Sequence, residues 1–416
     1  MRTPKLSQGT STGWYRYYAG FSEEFVADAL TLLDLEPGAV VVDPWHGSGT
    51  TGAAAVKAGL QAVGIDANPA LVLVARGRIL GAEVGDSLPS LLDEIVLEAG
   101  RLRDTGIEDP LSSWFEVQTA QMLRGLEMAS YHLLVDHDVY RPIAANETLT
   151  GISSLAAFIY VALFEVTKAL VAPFRTSNPT WVRFDQHQRK VEADWPTVTR
   201  MFKDASMRLA SALHTDGIAT HTRARFEVGD ATNLPLGDTE ADGAITSPPY
   251  LTRIDYVVAT RPELAILGYG RRETQALRAK MLGTPTIGRS ALSGSETWGS
   301  TALNLADRIA THESRASSTY YLRCFQQYFD GLARSVSELR RVVKPGGKAF
   351  LVVQDSHYKE IRVDLAQVVS DMARISGWSE ATRLDFATRR TLARVNPMSR
   401  RYRQDFLATE SVVTVQ

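Results

Sequence analysis

Apolar runs that end in a polar turn recur along this chain. Val40-Val41-Val42 leads into Asp43, Ala62-Val63-Gly64-Ile65 into Asp66, and Phe226-Glu227-Val228-Gly229 into Asp230. A fourth run, Gly243-Ala244-Ile245, leads into Thr246-Ser247-Pro248-Pro249-Tyr250. Runs of this kind predict buried strands of a parallel sheet, covered on both faces, and an α/β fold. A helix is expected from Thr50 through Ala58, directly after the first turn. Between the second and third strands the period changes. About 160 residues separate Asp66 from Asp230, where a crossover needs only a dozen or so. The excess, Asp86 to Thr220, is mostly helical in period, with candidates at Pro89–Arg103, Thr119–Leu134, Thr150–Val171 and Val198–Leu213. Pro89 suits the opening position of the first. Arg271 to Ser317, rich in Gly, Ser and Thr, reads as a long mobile loop. Leu155 to Phe164, the longest apolar stretch, is half a membrane span and predicts a buried helix.

The turns carry the candidate chemistry. Ligands of open α/β sheets sit at the carboxyl ends of the strands, where Asp43, Asp66 and Asp230 would gather. Any one aspartate reads equally well as a helix cap. The three together favour a nucleoside-containing cofactor, with Asp66 accepting the ribose hydroxyls. Gly47 and Gly49 would let the backbone pass close to it. Pro248 and Pro249 donate no backbone hydrogen bond and stiffen the turn. Ser247 and the Pro248 carbonyl supply acceptors, and Tyr250 supplies a stacking surface. That suits a planar heterocycle bearing an amino group.

Asp43-Pro44-Trp45-His46-Gly47-Ser48-Gly49-Thr50-Thr51 together with Thr246 to Tyr250 resembles the S-adenosylmethionine-dependent amino-group DNA methyltransferases. Ser-Pro-Pro-Tyr points mainly to their cytosine-N4 branch. Trp14 to Phe25 resembles the family's N-terminal motif, Val343 to Ser356 a later strand, and Arg253 to Tyr256 with Arg261 to Leu264 the helix after the catalytic turn. Trp45-His46 stands where Phe-Ala is usual, and Gly20 where a lysine is common. The likeness covers roughly residues 12–85 and 220–416. It implies a Rossmann-like, mostly parallel sheet of about seven strands. It implies S-adenosylmethionine as cofactor, S-adenosylhomocysteine as product and no metal. Phe21, Asp43, Pro44, Trp45, Gly47, Gly49, Thr50, Asp66, Asp230, Ala231 and Thr246 would bind the cofactor, and Ser247, Pro248, Pro249 and Tyr250 would carry catalysis. His46 reads as a surface or hydrogen-bonding residue. DNA is the implied partner, with a cognate restriction endonuclease as a second one.

Composition narrows this further. The single cysteine, Cys324, falls in a helical stretch, which disfavours the ring-carbon methylation that needs a cysteine nucleophile. With 45 basic and 47 acidic residues, positive charge for DNA must be concentrated locally. Arg389, Arg390, Arg394, Arg400 and Arg401 near the C-terminus, and Arg253 beside the catalytic turn, are the candidates. The expected organisation is residues 1–85 and 221–416 for the catalytic core, split by a helical insertion, 86–220, and carrying the loop 271–317. Target recognition would come from the insertion or the loop. A cytoplasmic setting without membrane contact is expected. Adenine-N6 methylation, RNA methylation and an inactive cofactor-binding regulator stay open at this point.

Overall fold

The computed structural model describes the chain except for residues 5–13, 18–19, 103–108, 146–148, 175–188, 214–222, 252–254, 285–295 and 389–407. In chain order the elements are α1 (Glu23–Leu33), β1 (Val40–Asp43), α2 (Thr50–Lys57), β2 (Gln61–Asp66), α3 (Pro69–Arg78), α4 (Val84–Ala99), α5 (Val117–Leu134), α6 (Ser154–Leu170) and α7 (Trp195–Ala210). Then come β3 (Ala224–Val228), β4 (Ala241–Thr246), α8 (Tyr256–Ala259), α9 (Arg261–Ile266), α10 (Arg271–Lys280) and α11 (Gly299–Ala310). The last are α12 (Leu322–Val342), β5 (Val343–Gln354), β6 (Ser356–Tyr358), β7 (Ile361–Val363), α13 (Leu365–Ile375), β8 (Ala381–Thr388) and β9 (Ala408–Val415).

Seven strands form one sheet in the order β3-β2-β1-β4-β5-β9-β8, and β6 and β7 form a separate hairpin. β1 pairs in parallel with β2 and β4, β2 with β3, and β4 with β5. β9 runs antiparallel between β5 and β8. The side-chain period of two divides the strands between two cores. Val41 and Ile245 pack with α1 and α2, through Phe25, Ala55 and Val56. Their neighbours Val42 and Ala244 pack with α12 and α13, through Phe329, Leu332 and Val369. The result is the mostly parallel α/β sheet of a Rossmann-like methyltransferase fold.

Helices α4 to α7 share a third core with α3. Ala156 to Phe164 of α6 are all buried, so this helix is apolar on every side and sits inside that layer. Arg124 of α5 joins the layer to α9: it donates to the Ala265 and Ile266 carbonyls at 2.8 and 2.6 Å and is ion-paired with Asp109 and Glu127. No helix among the described residues is long and apolar enough to cross a membrane.

Two expectations are corrected. Pro89 lies inside α4, which starts five residues earlier at Val84; Leu88, Leu92 and Ile95 define its buried face. The stretch 271–317 holds two helices, α10 and α11, rather than a structureless loop. α11 buries a stripe of Ala302, Leu305, Ala306 and Ile309, whereas α10 buries only Thr274 and Leu277.

Candidate active site

The loop after β1 is shaped by two glycines in the left-handed region. Gly47 has φ +52°, and a Cβ there would lie 3.0 Å from the Tyr17 ring. Gly49 has φ +78° and caps α2; its Cβ would lie 2.6 Å from that of Ala75. Asp43, at the end of β1, accepts from the Thr246 hydroxyl at 2.6 Å and from the Trp45 N–H at 3.2 Å. It ties the first turn to the strand that carries the fourth. Burial pushes its pKa up to about 6, against the hydrogen bonds from Thr246, Thr51 and Trp45.

Asp66, at the end of β2, accepts from the Gly47 N–H at 3.1 Å and the Asn68 N–H at 2.8 Å. Burial lifts its pKa to about 7, opposed by those two bonds and reinforced by nearby Asp43. Asp230 is exposed just past β3 and accepts from the Thr232 N–H at 2.8 Å. Phe21 meets Phe25 edge-on, with centroids 5.5 Å apart. His46 is not a surface residue. It is 4% exposed, its ring packs edge-on against Phe226, and Nδ1 lies 3.0 Å from the Gly47 carbonyl. Burial lowers its pKa to about 3, so it stays neutral.

At the end of β4 the Ser247 hydroxyl donates to the Val352 carbonyl on β5 at 3.0 Å. Tyr328 of α12 donates to the Pro249 carbonyl at 2.8 Å and holds the turn from behind. The Tyr250 hydroxyl donates to Glu410 on β9 at 3.2 Å. Burial raises the Tyr250 pKa well above its ordinary value, with Glu410 adding to it.

A single cleft joins these parts. Phe21, Pro44, Trp45, Gly47, Thr50, Asp66, Asp230 and Ala231 line it together with Ser247 to Tyr250. Gly49, Asp43 and Thr246 stand behind the wall, shaping it without lining it. Arg253, Arg389, Arg390, Arg394, Arg400 and Arg401 lie outside the described residues. The cleft also takes in Tyr17, Tyr256, Lys280 and, from α12, Gln327 and Arg334, which sequence reasoning missed. Tyr17 lies in the N-terminal aromatic segment and could have been found there. Tyr256 closes the Arg253–Tyr256 motif and could likewise have been found, whereas Lys280, Gln327 and Arg334 arrive through tertiary packing and carry no motif. Among the described residues no group of His, Cys, Asp and Glu is placed to hold a metal ion.

Residues 7–76 match the family model for N6/N4-type DNA methylases. The chain is 22% identical to the Type II methyltransferase M.BsoBI of Geobacillus stearothermophilus, over 83% of this chain and 74% of that protein. It is 29% identical to the Type II methyltransferase M.AvaI of a Nostoc species over 33% of this chain and 31% of that one, and M.AvaI of Anabaena variabilis matches to the same extent. These matches support an amino-group DNA methyltransferase. For such a methyltransferase the cofactor is S-adenosylmethionine. The cleft fits it: a backbone turn free of side chains at Gly47, a buried carboxylate at Asp66 and a second carboxylate at Asp230 line one continuous surface.

Proposed function

We propose that the chain methylates the exocyclic N4 amine of cytosine in DNA. The observation that carries this reading is the single cleft from the strand-end carboxylates to the Ser247–Tyr250 turn. It allows a cofactor and a base to meet. S-adenosylmethionine, when bound, supplies an electrophilic methyl group on a sulfonium. Asp66 would accept the ribose hydroxyls, Asp230 and Ala231 would flank the adenine, and Phe21, Pro44, Trp45, Gly47, Thr50 and Asp43 with Thr246 would form or support the rest of that half.

The task of the turn is to prepare the amine. Its lone pair is delocalised into the cytosine ring, which makes it a weak nucleophile. The Ser247 hydroxyl donates to the Val352 carbonyl, and its oxygen would use a lone pair to accept an amine N–H. The Pro248 carbonyl would accept the other, since Tyr328 already occupies that of Pro249. Two acceptors on one nitrogen favour a tetrahedral geometry and aim the lone pair out of the ring plane. Tyr250, with its hydroxyl anchored on Glu410, would stack on the base, worth about 1–3 kcal/mol. Extrusion of the base from the duplex costs a few kcal/mol. Proximity and orientation supply much of the acceleration, and the methylated amine is acidic enough to need no strong base.

Serine rather than aspartate or asparagine at 247 supports cytosine over adenine. The Type II designation of the relatives supports a companion role to a restriction endonuclease. The test is nucleoside mass spectrometry after incubation with duplex DNA, RNA and S-adenosylmethionine. N4-methylcytosine from DNA is expected. N6-methyladenine without N4-methylcytosine overturns the base assignment, and labelling of RNA alone overturns the substrate.

A further inference from the structure

The C-terminal end of helix α10 is held beside the catalytic turn. Arg278 bonds Asp255 through Nε at 2.7 Å and Nη2 at 2.6 Å, and Asp255 caps α8 by accepting from the Val258 N–H. Past the helix, Gly283 lies on the turn itself: a Cβ there would come 3.4 Å from the Tyr250 carbonyl and 3.6 Å from Pro249 Cβ. Thr274 and Leu277 are its buried positions. The remaining surface carries exposed Arg271, Arg272 and Lys280, and Lys280 lines the cleft.

These three cations have no ion-pair or hydrogen-bond partner among the described residues. Glu273 is the one acid on the helix. Arg261 of α9 adds to the surplus. Its pKa is lowered by desolvation and by repulsion from Arg278 and Arg271, with Asp255 opposing. In a chain with more acids than bases, exposed cations without an acidic partner on a helix that reaches the cleft call for a polyanion.

We propose that α10 binds the phosphate backbone of DNA beside the extruded base. The inference rests on the DNA methyltransferase reading and adds to it the surface that holds the strand. Arg272 and Lys280 are two turns apart, about 12 Å along the axis. At about 3.4 Å of duplex per nucleotide that spans three to four nucleotides. A base rotating out on its backbone stays flanked by phosphates, and α10 meets them at the rim that the base crosses. Lys280 would take the phosphate nearest the cleft, and Arg271 and Arg272 those further along.

The test is the salt dependence of DNA affinity in the full chain, read by fluorescence anisotropy of a labelled duplex. The variant Arg271→Gln/Arg272→Gln is compared with wild type, and Arg2→Gln/Arg374→Gln, exposed arginines outside the insertion and the 271–317 stretch, serves as control. Removing one cation that neutralises a phosphate lowers the slope of log affinity against log salt by about 0.9, so a fall of about 1.8 is expected. Adding Lys280→Gln should lower it further. S-adenosylhomocysteine affinity and melting temperature should be unchanged in the α10 double variant, which excludes misfolding. A wild-type slope in that variant, or a fall no larger than the control's, overturns the proposal while leaving the methyltransferase reading intact. A wild-type protein that neither methylates nor binds DNA overturns both.

Discussion

Replacing Asp66 by asparagine tests the cofactor end of the cleft without any ligand present. The carboxyl group is 7% exposed and accepts two backbone N–H groups. Its pKa is about 7 in the folded protein, chiefly because burial penalises the charge, against 3.8 as the ordinary value. Between about pH 4 and 7 the unfolded chain has released a proton that the folded chain keeps. Stability from this group is therefore fully present below the lower value and falls as pH rises, by about 1.4 kcal/mol per unit, levelling off above pH 7. The whole effect is about 4 kcal/mol. Asp66→Asn abolishes it. The variant also turns an amide NH2 toward one of the two N–H donors, which costs about 1–3 kcal/mol at every pH. Asp43, lifted to about 6 by its own burial, titrates in both proteins and largely cancels in the difference. Urea titrations of the ligand-free proteins from pH 5 to 8 measure that difference. Wild-type stability should fall relative to the variant by about 2 kcal/mol between pH 5 and 7, and by little from 7 to 8. At pH 8 the variant should also lose about tenfold or more in S-adenosylhomocysteine affinity, the scale of one charged hydrogen bond. Parallel stability curves from pH 5 to 7 would refute the claim that desolvation governs Asp66.

Two further substitutions address the turns. Tyr328→Phe removes the donor to the Pro249 carbonyl; calorimetry should show a loss of about 1–2 kcal/mol, and methyl transfer should slow while S-adenosylhomocysteine still binds. An unchanged rate would mean that Tyr328 does not hold the catalytic turn. Gly49→Ala forces a side chain into the left-handed region, about 1–2 kcal/mol, and drives its Cβ onto the Ala75 backbone, 2.9 Å from Cα. A lower melting temperature and weaker cofactor binding are expected, and a wild-type melting curve would contradict the close approach of α2 and α3.

The strands that build the cleft are legible because each is a short apolar run stopped by a polar turn, and β1, β2, β3 and β4 lie where those runs predict. The three strand-end aspartates likewise fall at one edge of the sheet, since parallel strands share a carboxyl end. Their roles toward a ligand are another matter. Asp66 spends both oxygens on backbone N–H groups in the structure, and nothing in its sequence neighbourhood signals that. α10 escaped the sequence because so few of its residues are buried: a helix held by Thr274, Leu277 and one ion pair leaves no apolar stripe to read. α11 does carry a stripe, but its Gly- and Ser-rich surroundings masked it. Gln327 and Arg334 reach the cleft because α12 packs on the face of the sheet behind β1 and β4, a tertiary fact with no local signature.

The position of β3 bears on how the protein assembles. Among the described residues it is an edge strand paired with β2 alone, which lies about 160 residues earlier, with Ala62 beside Ala224. Closing a loop of that length costs about 2 kcal/mol more than closing the dozen residues of an ordinary crossover. Arg76 at the near end of the excursion bonds the Phe226 carbonyl and the Leu149 and Ile152 carbonyls, so the folded helices draw the two ends together. Contacts of the folded helical layer thus offset the cost of closing that loop. The wall that bears Asp230 therefore hangs on the β2–β3 seam at the end of the sheet. A ligand that touches both Asp66 and Asp230 would bridge that seam, so filling the cleft also fastens the edge of the sheet.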